Sequence, residues 1–141
     1  MKIKKNELHY MTWKEIEEAF KEDPVVFVPM ASMEEHGPTT LVGDYIAVQE
    51  IVKEAAKQSD SYSVPVIPFG YSEVFRNFPG CISLRPKTFY GLVHDVCISL
   101  LEHGVTKIIL VNGHGGNAAI LDMLVRDIKR EHKIMIGVIN L

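Results

Sequence analysis

Val25-Val26-Phe27-Val28-Pro29-Met30 is a short and almost continuously apolar run near the start of the chain. Such a run is typical of a parallel strand that is buried on both faces of its sheet. Further strands are expected at 64–69, 107–111 and 133–139, and helical patterns separate them. Because strands that alternate with helices form right-handed crossovers, the pattern predicts an α/β fold with a parallel sheet.

Four helices are predicted, over residues 13–21, 44–58, 87–103 and 117–132. Thr12 and Glu15 have the spacing of a capping box, which marks the start of the first helix. Asp44 is expected to cap the second helix and Asn117 the fourth, because short polar side chains bind the free amides of a first turn. Gly104 follows the third helix and is a good left-handed terminator.

The second strand and the connection after it are less regular. Pro65 and Pro68 lie inside the apolar run at 64–69, which places that strand at an edge of the sheet. A long loop then extends from Gly70 to about Pro86. A connection of that length in a compact domain is usually functional or ordered by a partner.

Chemically active residues follow the first and third strands. Glu34 and His36 come directly after the first strand, and Asp44 comes eight residues after His36. His114 follows the third strand within Asn112-Gly113-His114-Gly115-Gly116-Asn117. Ligands of open α/β sheets bind at the carboxyl ends of the strands, so these four side chains are expected to converge.

The residue types in this group are those of a metal site. Glu34 and His36 are two positions apart and project to the same side of an extended backbone, whereas Glu35 points away. Carboxylate and imidazole together suit zinc, manganese or iron. Two imidazoles and two carboxylates would fill the coordination of one ion. They could also hold two ions that share a bridging carboxylate and keep open positions. A bound metal lowers the pKa of its water to roughly 7, which makes a nucleophile available at neutral pH.

Plainer roles remain open for the same residues. Asp44 has the position of a helix cap, His36 that of a turn histidine, and Glu34 that of a solvated loop charge. The glycines around His114 also fit a phosphate-binding turn at a helix start, although the lysine of a P-loop is missing. Mainly structural or solvent roles are assigned to the remaining candidates: His94, His103, His132, Cys81 and Cys97.

The overall composition narrows the range of functions. With 141 residues, the chain is expected to form a single domain, 1–141. The formal net charge is −3 and no basic cluster occurs beyond the first five residues, so neither a nucleic acid nor a membrane is expected as a partner. No signal peptide, membrane span or disulfide framework is predicted, and the expected location is the cytoplasm.

Three segments in order resemble the creatininase (creatinine amidohydrolase) family. They are Pro29–Pro38 with Asp44, the middle segment Gly70–Pro86, and Asn112–Asn117. The resemblance implies a three-layer α/β sandwich around a parallel sheet, truncated at its C-terminal side relative to the family. It also implies metal-dependent hydrolysis of non-peptide C–N bonds, of cyclic-amide or formamide type, by a metal-activated water.

The same resemblance assigns roles and partners. The metal ligands would be Glu34, His36, Asp44 and His114, holding one or two divalent ions per chain. Zinc is favoured as the ion, with manganese and iron as alternatives. The substrate would be a small-molecule amide, and the protein would be a homo-oligomer, such as a hexamer.

Three departures from the family pattern lead to further expectations. The segment between Pro38 and Asp44 is one residue short, so Asp44 is expected to be displaced. Gly116 stands where creatininase has a glutamate, which disfavours creatinine itself as the substrate. Family members also continue past Leu141 and supply another ligand carboxylate and a histidine. The alternative function is therefore a catalytically inactive shortened member that acts as a metal-binding, ligand-binding or structural subunit.

Overall fold

The computed structural model describes residues 5–41 and 43–141. The basic N-terminal residues 1–4 and Val42, which lies in the shortened segment, are outside the described residues. The helices and strands follow in this order: α1 Trp13–Phe20, β1 Val25–Met30, α2 Gly43–Gln58, β2 Tyr62–Ser63, α3 Pro86–Glu102, β3 Lys107–Asn112, α4 Ala118–His132 and β4 Gly137–Asn140.

The four strands form one parallel sheet in the order β2-β1-β3-β4. Helix α2 covers one face, where Val48 and Val52 pack with Phe27 of β1 and Val111 of β3. Helices α3 and α4 cover the opposite face in the larger core cluster, which includes Phe89. The three-layer α/β architecture expected from the sequence is confirmed.

Two predicted strands have the wrong bounds. The strand expected at 64–69 is wrong, because β2 is only Tyr62–Ser63 and the prolines that follow cannot donate to a ladder. Ile67 still forms an isolated bridge with Met30, and β2 is at a sheet edge as expected. Strand β4 begins at Gly137 rather than at Lys133, because Lys133 adopts a left-handed conformation that ends α4.

Only one of the predicted side-chain caps of the helices forms. Thr12 and Glu15 make both bonds of the capping box at the start of α1. The prediction for Asp44 is wrong, since α2 begins at Gly43 and the Asp44 carboxylate turns to His36 instead. Asn117 occupies the N-cap position of α4, but its side chain makes no capping bond.

Cys97 and His94 lie on α3, whereas the Sγ of Cys81 lies 3.7 Å from the hydroxyl oxygen of Ser72 in the long loop after β2. His94 stacks on Tyr90 with ring centroids 5.9 Å apart, while His103 and His132 lie at the ends of α3 and α4. Both cysteines are free thiols, and burial raises the pKa of Cys97 to about 12. Among the helices of residues 5–41 and 43–141, none combines the length and apolarity that a membrane span needs.

Asp23 joins the amino ends of β1 and β3. Its carboxylate accepts hydrogen bonds from the amide and the hydroxyl of Thr106, both at 2.7 Å. These bonds, with the nearby Lys107 ammonium, hold the pKa of Asp23 below its usual range. A carboxyl group whose pKa is depressed by folding adds stability at pH values above its unfolded pKa, and that stability is lost as the pH falls through the folded pKa.

The Asp23→Asn variant should therefore lose stability in a pH-dependent way. Asparagine tolerates the positive φ of this position, so the substitution mainly removes the charge. We expect the free energy of unfolding at pH 7 to fall by about 1 kcal/mol. Urea denaturation should show the difference from the parent shrinking below about pH 4. A difference of the same size at pH 7 and pH 3 would contradict this role of the carboxylate.

Candidate metal centre

The four candidate residues come together at the carboxyl end of the sheet. Ligand atoms of Glu34, His36 and Asp44 all lie within 4.8 Å of one another. His114 joins them, with Nδ1 3.1 Å from Oε1 of Glu34 and 3.5 Å from Oδ2 of Asp44. Asp44 reaches the group in spite of the shortened segment before it, because its Oδ1 lies 2.8 Å from Nε2 of His36.

The position of each residue follows from the fold. Strand β1 carries the chain directly into Glu34 and His36, and α2 brings Asp44 back in its first turn. Strand β3 lies beside β1 in the sheet and leads to His114. Glu35 points elsewhere, and its carboxylate accepts a hydrogen bond from the amide of Gly37.

Backbone carbonyls fix the orientation of both imidazoles. Nδ1 of His36 lies 3.1 Å from the carbonyl oxygen of Glu34, and Nε2 of His114 lies 2.9 Å from that of Tyr71. A carbonyl oxygen only accepts, so each of these nitrogens carries the proton. The opposite nitrogen of each neutral ring then presents a lone pair to the carboxylates. Metal-binding histidines in proteins characteristically have this arrangement.

The arrangement of ring lone pairs and carboxylates favours a cation at this site. A lone pair of His36 that faces Oδ1 of Asp44 at 2.8 Å is repelled unless a proton or a metal lies between them. The same holds for Nδ1 of His114, which faces oxygens of both carboxylates. Glu34 is 5% exposed and His114 9% exposed, so water screens the inner part of the group poorly. A divalent ion among the rings and carboxylates would remove this repulsion and balance both negative charges.

The side toward solvent is formed by His36 and Asp44. The carbonyl of Glu34 raises the pKa of His36 above its usual value, and the carboxylate of Asp44 adds to this increase against the opposing effect of partial burial. Protons and metal ions compete for the same ring nitrogen. Metal affinity should therefore decrease as the pH falls through this raised pKa.

The long loop after β2 supplies a partner that the residue types alone did not identify. The buried hydroxyl of Ser72 donates to Oε2 of Glu34, which leaves Oε1 toward His114. The amide of Ser72 is in turn held by Oγ of Ser83 at 3.0 Å. The sequence signals for this loop were its unusual length and the family resemblance of Gly70–Pro86, and neither assigned a role to Ser72.

Two asparagines fix the loop that carries His114. Oδ1 of Asn112 accepts from the amide of His114, and its Nδ2 donates to the carbonyl of the same residue at 2.7 Å. Asn117 donates to the carbonyl of Ala31 and accepts from the amide of Tyr71 at 2.8 Å. The carboxyl ends of β1 and β3 and the long loop are therefore joined by buried amide side chains.

The glycine turn after His114 is closely packed. A Cβ at Gly116 would lie closer than 3.0 Å to both the carbonyl oxygen of Tyr71 and the ring of His114. The amides of Asn117 and Ala118 donate to carbonyls within the turn, at His114 and Gly115. These two amides are consequently not directed at an anion, as a phosphate-binding turn would require.

Comparison with known proteins identifies a family for nearly the whole chain. The model of the creatininase family, described as creatinine amidohydrolase, matches residues 9–140. The creatinine amidohydrolase of Pseudomonas putida is 28% identical over 130 residues, which are 84% of this chain and 50% of that protein. A 3-dehydro-scyllo-inosose hydrolase of Thermotoga maritima is 29% identical over 107 residues, 74% of this chain and 34% of that protein. A mycofactocin precursor peptide peptidase of Mycolicibacterium smegmatis is 32% identical over 111 residues, 70% of this chain and 42% of that protein.

Solved structures agree with this assignment. A crystal structure of creatinine amidohydrolase superposes with a TM-score of 0.88 at 26% identity, covering 98% of this chain and 58% of that chain. A creatininase structure of manganese type also superposes with a TM-score of 0.88, covering 97% of this chain and 58% of that chain. A creatininase variant of Zn–Zn type superposes with a TM-score of 0.86, covering 98% of this chain and 58% of that chain. The manganese and Zn–Zn structures are each 26% identical in sequence to this chain.

The chain thus spans about half the length, or less, of the curated relatives that it matches. Its parallel sheet, its three layers and the segment matched by the family model are all shared with creatininases. The chain is a member of the creatininase family.

Proposed function

We propose that this protein is a metal-dependent hydrolase of C–N bonds in small amides of the cyclic-amide or formamide type. The proposed metal ligands are Glu34, His36, Asp44 and His114. The hydrolase names of the matched relatives support the reaction class. Those names also cover chemically different substrates, so the choice of an amide depends on the likeness to the creatinine amidohydrolase.

One observation carries the proposal. Asp44 lies between two imidazoles, with Oδ1 at 2.8 Å from His36 and Oδ2 at 3.5 Å from His114. The backbone carbonyls behind both rings turn a lone pair toward the carboxylates. This donor set fits a divalent ion of the zinc, manganese or iron type.

The distribution of donors also fits two ions. His114 contacts both carboxylates from the buried side, whereas His36 contacts Asp44 near the solvent. If two ions bind, Glu34 and His114 would hold one and His36 the other, and Asp44 would contribute to both. We propose one or two ions per chain, with zinc favoured and manganese or iron as alternatives. The matched creatininase structures of manganese and Zn–Zn type support an ion of this kind.

Neighbouring residues of the chain hold the proposed ligands in position. Ser72 holds one oxygen of Glu34, and the carbonyls of Glu34 and Tyr71 hold the outer nitrogens of the imidazoles. When bound, a divalent ion supplies Lewis acidity, which polarises a carbonyl and makes water nucleophilic near neutral pH. The open side at His36 is where a small substrate would enter.

Turnover after metal reconstitution tests the function. The purified chain would be stripped with EDTA, reloaded separately with Zn²⁺, Mn²⁺ or Fe²⁺, and supplied with cyclic amides and formamides. We expect metal-dependent release of amine or acid that is lost in the His36→Ala/His114→Ala double variant. Turnover that survives in the double variant would contradict the assigned site. Metal binding without turnover would instead support the alternative, an inactive metal-binding subunit.

Three further properties belong to this proposal. We treat residues 1–141 as one creatininase-like domain that works in the cytoplasm. We also propose a homo-oligomer, such as a hexamer, as the working form. Sedimentation velocity of the purified chain would test the last point, and a monomer at micromolar concentration would contradict it.

A further inference from the structure

The side chain of Asn117 is buried at a point where three segments of the chain meet. Its amide oxygen accepts a hydrogen bond from the backbone amide of Tyr71 at 2.8 Å. Its amide nitrogen donates to the carbonyl of Ala31 at 3.2 Å and to Oδ1 of Asn112 at 3.1 Å. Ala31 follows β1, Asn112 ends β3, and Tyr71 lies in the long loop. One side chain therefore connects the loops after β1 and β3 with the long loop.

The three partners specify both the chemistry and the size of this side chain. The amide of Tyr71 needs an acceptor, whereas the oxygens of Ala31 and Asn112 need donors, so the side chain must present one oxygen and one amino group. A carboxylate would place a second oxygen against two acceptors in a buried position. The space is also tight, because a Cβ on Gly70 would lie closer than 3.0 Å to both polar atoms of the Asn117 amide.

The contacts of Asn117 reach both the ring and the backbone of His114. The carbonyl of Tyr71, whose amide is bonded to Asn117, lies 2.9 Å from Nε2 of the His114 ring. Asn112, which also bonds to Asn117, holds the amide and the carbonyl of His114. The backbone amide of Asn117 donates to the same carbonyl at 3.1 Å. Asn117 therefore links the backbone support of His114 to the acceptor of its ring.

The same contacts lead to Glu34. Ser72 follows Tyr71 directly, and its hydroxyl donates to Oε2 of Glu34. The amide of Ser72 and the carbonyl of Tyr71 belong to one peptide group, which is planar and moves as a unit. A shift of this peptide group would therefore move the partner of the His114 ring and the partner of the Glu34 carboxylate together.

We propose that Asn117 is a positioning residue of the candidate metal centre. By holding the amide of Tyr71, it sets the Tyr71–Ser72 peptide group and, through that group, the His114 ring and the Glu34 carboxylate. This inference rests on the proposed function, because it treats Glu34 and His114 as metal ligands. A role as helix cap does not explain these contacts, since the side chain of Asn117 makes no capping bond to α4.

Hydrogen exchange in the presence of EDTA tests the positioning without any metal. The variant is Asn117→Ser, because serine remains a favourable N-cap residue but is too short to span the three partners. We expect the amides of Tyr71 and Ser72 both to exchange at least about tenfold faster than in the parent. The amide of Ser72 is decisive, because its partner is Oγ of Ser83 rather than Asn117. Unchanged exchange at Ser72 would overturn the proposal, since the effect would then be confined to the bond that was removed.

Zinc affinity, measured by competition with a chromophoric chelator, tests the consequence for the centre. Asn117→Ser should bind Zn²⁺ at least about tenfold more weakly than the parent. The matched control is Asn6→Ser. Asn6 also joins distant segments through its amide, which donates to the carbonyls of Ala56 at 3.3 Å and Ser61 at 2.7 Å, before β2. Its Zn²⁺ affinity and its exchange at Ser72 should stay within about twofold of the parent.

A second variant displaces Asn117 without replacing it. In Gly70→Ala the added Cβ would meet the side chain of Asn117 and the carbonyl of Ala31. We expect faster exchange at Ser72 and weaker Zn²⁺ binding, as in Asn117→Ser, and circular dichroism would verify that each variant folds. If Asn117→Ser does not fold, Gly70→Ala decides the question.

Three outcomes separate this inference from the proposed function. Equal losses of Zn²⁺ affinity in Asn117→Ser and Asn6→Ser would overturn the inference, because general destabilisation would then explain both. Unchanged exchange and affinity in Gly70→Ala would also overturn it. A parent that binds no Zn²⁺ would contradict the proposed function instead, and the exchange at Ser72 in EDTA would still decide whether Asn117 positions the loop.

Discussion

Replacing Asp44 by asparagine is expected to lower the affinity for Zn²⁺ by more than about 100-fold. Removing a residue that only hydrogen-bonds to a metal ligand already lowers metal affinity by about 10–100-fold, and Asp44 is proposed as a ligand itself. Asp44 is the carboxylate that contacts both imidazoles, and the neutral amide cannot bridge or balance charge in the same way. Competition with a chromophoric chelator at pH 7 would measure the change.

The control for Asp44→Asn is Glu35→Gln. This control also converts a carboxylate to an amide in the loop after β1, but Glu35 contacts the amide of Gly37 rather than the imidazoles. Its Zn²⁺ affinity should stay within about twofold of the parent. Equal losses in the two variants would show that general charge, rather than a built site, attracts the ion.

Replacing Gly116 by alanine is expected to disrupt the same centre through packing alone. The added Cβ would meet the carbonyl of Tyr71 and the ring of His114 at less than 3.0 Å. Because that carbonyl fixes the outer nitrogen of His114, the ring must tilt away from Glu34 and Asp44. We expect the free energy of unfolding to fall by about 1–3 kcal/mol, as for other overpacked sites, and Zn²⁺ affinity to fall at least about tenfold.

The neighbouring glycine provides the control for this second prediction. A Cβ at Gly115 would have no other heavy atom within 4 Å, apart from its chain neighbours. Gly115→Ala should therefore retain both stability and Zn²⁺ affinity. If Gly116→Ala behaved like Gly115→Ala in urea denaturation and in the chelator assay, the packing between Gly116, Tyr71 and His114 would not control the site.

The sequence predicts the sheet well where local pattern and burial agree. Strands β1 and β3 are central, and their unbroken apolar runs reveal them almost to the residue. The errors occur at the two edges. At 64–69 an apolar run contains two prolines that cannot join a ladder, and at 133–136 a left-handed Lys133 delays the strand. Edge strands have weaker patterns, because fewer of their residues are buried on both faces.

The convergence of the four site residues could also be predicted, because strand order and the rule for α/β sheets bring the loops after β1 and β3 together. The contacts that hold these four residues in place could not be predicted from the sequence. Asn117 has the residue type of a helix cap, and only the folded structure shows that its side chain binds across loops instead. The role of Ser72 depends on a contact between residues 38 positions apart, which no local spacing encodes.

The most direct test of the metal centre is the metal content of the purified protein by elemental analysis. We predict one to two zinc, manganese or iron ions per chain, retained through gel filtration, and their loss in the His36→Ala/His114→Ala variant. The absence of bound metal in the parent, even after reconstitution with each ion, would contradict the account. The four converging side chains would then be an ion-pair cluster that stabilises the loops after β1 and β3.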